Sequence, residues 1–167
     1  MAPSTLESLR NSLAEWQEMK GTGDGLAVLA DEQIGVTQRK IISLESLIAL
    51  FAMHGVGLTL KHRNREAWGV LTMDASDPGR YRWTQFQRDG FTGHCTHDTP
   101  ELCLGDMVDD GYIVPDQGAL DRVYGTPEWE RGSQITAIIQ ACNAGLMSWD
   151  EANRNAMEVK QLYQEAA

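Results

Sequence analysis

The stretch GHCTHDTPELC, Gly93 to Cys103, crowds two histidines, two cysteines and two acids into eleven residues. Two chemistries need those residue types. Thiolates and imidazoles together hold zinc, and a thiol beside an imidazole base is the core of a cysteine nucleophile. On an extended strand Cys95 and His97 share one face and His94 points the other way, because alternate side chains do. Cys103 then falls one turn into a following helix.

Neither pattern is complete. A structural zinc site pairs two ligand sets, and here the second set is missing. A reactive thiol needs a lowered pKa, an orienting acid and an oxyanion site, and no recognised arrangement of them surrounds Cys95. The preferred reading is structural: Cys103 joins Leu104, Met107 and Val108 on the buried stripe of a helix, Cys95 lies inside the sheet, and Thr99 caps the helix. No metal and no cofactor are expected, with Cys95, His97 and Cys103 kept as the alternative metal or thiol site. His54 and His62 stand alone. GTGDG (Gly21 to Gly25) lacks the lysine and hydroxyl of a phosphate loop and reads as a linker. The acids of DMVDDGYIVPD do not alternate as an EF-hand loop demands.

Charge gives a stronger signal. The chain of 167 residues carries a net charge of −10, which disfavours general binding to nucleic acid. Residues 1–56 are net −3, residues 57–97 net +2, residues 98–132 net −7 and residues 133–167 net −2. The acid is thus concentrated directly after the only basic stretch. Asp106, Asp109 and Asp110 fall near the C-terminal end of a predicted helix, where the macrodipole disfavours anions by about 0.3–1 kcal/mol each. Either basic side chains such as Arg80, Arg82 or Arg88 compensate within the fold, or a cationic partner does.

The expected function is therefore non-enzymatic: an acidic protein-binding module, in its narrower form a small inhibitor or decoy of the phage anti-defence type, docking on a basic, nucleic-acid-binding surface of a target protein. In this reading Asp106, Asp109, Asp110, Asp116 and Asp121 steer association, and Tyr112, Tyr124 and Trp129 supply apolar anchors. A second alternative reverses the polarity: Lys61, Arg63, Arg65, Arg82 and Arg88, with Phe86 among them, form a nucleic-acid-binding sheet face. A homo-oligomer joining basic sheet to acidic helix would use both patches.

These residues must be held by an α+β scaffold with N-terminal helices, a small antiparallel sheet of three or four strands and a C-terminal helical hairpin. Leu6, Leu9, Leu13 and Trp16 recur at helical spacing behind a capping box of Ser4 and Glu7, and a central helix runs from about Thr37 to His54. Between Gly57 and His97 the period becomes strand-like, punctuated by the turn sequences DASDPG and RDG. Thr99 and Pro100 open a helix that stops at Gly111, and the following residues to Gly132 read as a loop with one short turn over 118–123. Ser133 opens the next helix, and Ser148 with Glu151 caps the last. The chain divides into residues 1–56, 57–132 and 133–167, together one compact unit. Three cysteines at wide spacing argue against a disulfide framework, the longest apolar run is too short to span a membrane, and no secretory signal is visible; the expected location is cytoplasmic.

Overall fold

The computed structural model describes residues 3–21 and 26–165, so the proposed linker lies almost wholly outside the described residues. The architecture is α+β. Helices α1 (Leu6–Gly21) and α2 (Ala27–His54) precede strands β1 (Thr59–His62), β2 (Trp68–Met73), β3 (Tyr81–Gln87) and β4 (Gly90–His97). Helix α3 (Pro100–Asp109), strand β5 (Tyr112–Pro115), the short α4 (Ala119–Val123), and α5 (Pro127–Asn143) and α6 (Trp149–Glu165) complete it. No helix among the described residues is long and apolar enough to cross a membrane.

The sheet is antiparallel with order β4-β3-β2-β1-β5, so it has five strands rather than three or four. The extra strand is the segment expected to be a loop: β5 returns after α3 to pair with β1, placing Lys61 opposite Val114 and His62 opposite Tyr112. Ile113 and Val114 suit a strand, and Pro115, which cannot donate to a ladder, sits at its end on the sheet's edge.

Local signals set the helix boundaries. Thr99 Oγ1 accepts from the Leu102 amide with Pro100 in the first turn, and Ser148 Oγ accepts from the Glu151 amide, as the spacing predicts. At α1 the reciprocal cap is one residue later than predicted: Thr5 and Ser8 exchange amide-to-hydroxyl bonds, while Ser4 turns away to Asp109. Helix α5 begins before Ser133, because Thr126 Oγ1 caps the Trp129 amide and Pro127 opens the first turn.

Two apolar clusters lie on the two faces of the sheet. The larger joins Leu58, Leu60, Leu71, Trp83 and Tyr112 to Cys103, Leu104 and Met107 of α3 and to Leu9, Leu44 and Leu47 of α1 and α2. Each fully buried leucine contributes roughly 1.5–3 kcal/mol. The smaller joins Trp68 and Phe86 to Ala119 and Trp129, so α4 and the start of α5 cover the face opposite α3. Two glycines permit the tightest approaches. A methyl group on Gly105 of α3 would land on the Ser4 carbonyl oxygen, and one on Gly132 of α5 would land on the Asp89 carbonyl oxygen in the β3–β4 turn.

Candidate functional site

The crowded segment divides as alternation requires. Cys95 pairs opposite Trp83 and His97 opposite Tyr81, whereas His94 pairs opposite Thr84 and projects towards α5. His97 Nε2 lies 3.1 Å from Asp106 Oδ2, and the charge of Asp106 also acts on the Cys95 thiol. Asp106 is thus the hub of this cluster, a role that its place in an acid run conceals.

The thiols are held in their neutral form. Burial first, then the negative charge of Asp106, pushes Cys103 up to about 12, and the same two causes raise Cys95. A thiol so placed is protonated at neutral pH and is a poor nucleophile. Among the described residues no three histidine, cysteine or acidic side chains are grouped to hold a metal ion.

The acids proposed to steer a partner have unequal fates. Asp106 accepts from Trp83 Nε1 at 2.8 Å. Asp109 accepts from the Ser4 amide and hydroxyl and pairs with Lys40 Nζ at 2.6 Å. Asp116 accepts from Trp68 Nε1 at 2.7 Å and from Arg122 at 2.6 Å. Burial works against its charge, but the Trp68 and Arg122 bonds prevail and hold its pKa below the ordinary value. These three carboxylates are therefore largely compensated within the fold. The compensating cations are Lys40 and Arg122, not the Arg80, Arg82 or Arg88 expected from the charge map.

Asp110 and Asp121 remain exposed and without an ion pair among the described residues. Burial, then repulsion from Asp106, raises the Asp110 pKa, with Arg65 opposing. The aromatic anchors also divide. Tyr112 is 1% and Trp129 4% exposed, so both are core residues and not surface anchors, whereas Tyr124 is 67% exposed.

The basic face is spent in the same way. Phe86 is fully buried, Arg82 is tied to buried Asp74, and Arg88 pairs with Glu66 and more distantly with Glu128. Lys61 stands over the Trp68 ring and Arg65 over the Tyr112 ring. Of that set, Arg63 has no such partner among the described residues.

What the sequence reading missed is the junction of α4 and α5. Tyr124 leans on Trp129 with ring centroids 5.6 Å apart, and Trp129 in turn meets Phe86 and Phe91. Asp121 lies one turn before Tyr124, and Glu128 and Glu130 occupy the first turn of α5. The capping signal of Thr126 and Pro127 would have revealed the helix start that brings them together. Comparisons with protein-family models, with curated proteins and with solved structures each find no match to this chain.

Proposed function

We propose that the chain is a non-enzymatic protein-binding module that meets a basic partner through the α4–α5 junction. Tyr124 is its apolar anchor, and Asp121, Glu128 and Glu130 supply the charge. The observation that carries this reading is an exposed tyrosine whose ring is braced from beneath by a buried tryptophan, beside Asp121 and Glu130, which have no ion pair among the described residues, and Glu128, which meets Arg88 only at 3.7 Å. A braced aromatic loses little conformational entropy on binding, which is how such residues become hot spots. The acids raise the rate of encounter and set its polarity. Arg122, which follows Asp121 in sequence, is already committed to Asp116, so it does not cancel the Asp121 charge.

The neutral thiols favour this reading over a thiol-dependent enzyme, and the consumed arginines favour it over a nucleic-acid-binding sheet. A narrower form, an inhibitor that covers a nucleic-acid-binding site on its target, rests on small size and a net charge of −10. The test is affinity capture from the native host with two baits, the wild-type chain and the triple variant Tyr124→Ala, Asp121→Asn, Glu130→Gln. The wild type should retain a basic protein that added salt releases and that the folded variant does not hold. Equal recovery by both baits rejects the proposal.

A further inference from the structure

A cleft of about 360 Å³ opens between α2, the end of α3, β5 and the turn after β1. Its apolar lining is Val36 and Ile42 of α2, Val108 of α3 and Ile113 of β5, and its cations are Arg39, Lys40 and Arg63. The cations differ in availability. Lys40 is bound to Asp109, the one acid lining the cleft, and Ser4 further satisfies that carboxylate. Arg39 and Arg63 have no acidic partner among the described residues, in a chain where acids outnumber lysines and arginines 24 to 14.

What sets this cleft apart is that two guanidinium groups without an acidic partner line it together with an apolar floor. They approach the cleft from different elements, Arg39 from the middle of the long α2 and Arg63 from the tight β1–β2 turn, where the Arg63 amide is fixed by the Gly111 carbonyl. The backbone that carries them is therefore set before any ligand arrives. The volume falls in the range of small-molecule sites, about 300–1,000 Å³. Guanidinium groups match carboxylates through paired N–H donors. Among the described residues no strand lies against the adjoining outer edge of β5.

We propose that this cleft binds a small amphiphilic carboxylate, with its anionic group between Arg39 and Arg63 and its alkyl body against Val36, Ile42 and Ile113. The proposal is independent of the α4–α5 surface. The test titrates hexanoate into the labelled full chain while amide resonances are followed by NMR, with hexanamide as the uncharged isostere and hexylammonium as the opposite charge. Hexanoate should shift the amides of residues 36–43, Arg63 and Ile113 saturably, and hexanamide should bind about tenfold more weakly or worse. The exposed double variant Arg39→Gln, Arg63→Gln should lose affinity to the same degree with an unchanged melting temperature. Non-saturating shifts, equal binding of hexanamide, or undiminished binding by the double variant would overturn the site. Val36→Trp, which fills the cleft without touching a charge, should also abolish the shifts, and binding that survives it places the ligand elsewhere.

Discussion

The indole N–H of Trp83 points at the Asp106 carboxylate, with 2.8 Å between Nε1 and Oδ2. The same pairing recurs on the opposite face of the sheet, where Trp68 Nε1 meets Asp116 Oδ2 at 2.7 Å. Each apolar cluster contains a tryptophan whose polar atom is satisfied by an acid from the acidic stretch. A buried indole donor left alone costs about 1–3 kcal/mol. Asp106→Ala should therefore lower unfolding free energy by roughly that amount in urea titration, and Asp106→Asn, which keeps an oxygen acceptor, by less. A steering charge would behave otherwise, with the alanine variant as stable as wild type.

That relationship also shows where sequence reading reaches its limit. A run of aspartates looks like an exposed charge patch because nothing local announces its partners, and Asp106 finds Trp83 only when α3 folds back across β3. Elements with local signals were legible: Thr99 and Pro100 at α3, Ser148 at α6, the alternation across β3. Strand β5 was not, because it is four residues long and its identity depends on β1, far back in the chain. The first ten residues of α2 were missed for another reason. Val28 and Leu29 face solvent while Ala30 and Thr37 are buried, so the apolar periodicity there is reversed.

Asp110 is a carboxylate held at a cost. It caps the C-terminus of α3, burial and Asp106 raise its pKa above the ordinary 3.8, and the helix dipole opposes its charge. A folded-state pKa above the unfolded value favours the fold below 3.8, and that contribution is lost as pH rises through the folded value. Asp110→Asn should thus stabilise the protein at neutral pH. Its exposure keeps the gain near the lower end of the roughly 0.3–1 kcal/mol that a misplaced terminal charge costs. An unchanged or lower melting temperature for the variant contradicts this account.

His62 works in the opposite direction. Its Nδ1 accepts the Asn64 amide at 3.1 Å, which requires an unprotonated nitrogen, and its ring meets Tyr112 edge-on. Burial, then the charge of Arg65, lowers its pKa from 6.5, against a hydrogen bond to the Asp110 carbonyl that raises it. A depressed histidine contributes stability that is present above 6.5 and lost as pH falls below it. The urea midpoint should accordingly fall between about pH 7 and pH 5, and His62→Gln should flatten that slope. Because Asp110 contributes with the other sign at lower pH, the informative comparison is His62→Gln in an Asp110→Asn background. A slope that persists there assigns the titration to another group.

The C-terminal hairpin is attached to the sheet through a contact that tolerates no side chain. Gly132 of α5 lies against the Asp89 carbonyl, and Ser133 sits beside Gly90, whose φ of 119° is open to glycine and to few other residues. Most of α6 beyond Ala152 is exposed or half-buried, so α5 is its main mooring. Gly132→Ala forces the helix away from the β3–β4 turn. Overpacking of this kind costs about 1–3 kcal/mol, and the strain should fall unevenly. Amide exchange in α5 and α6 should accelerate, while β2, β3 and α3, which form the larger core, keep their protection. Uniform acceleration across both regions would show instead that hairpin and sheet unfold as one unit, so that the braced Tyr124–Trp129 pair could not loosen without the whole fold.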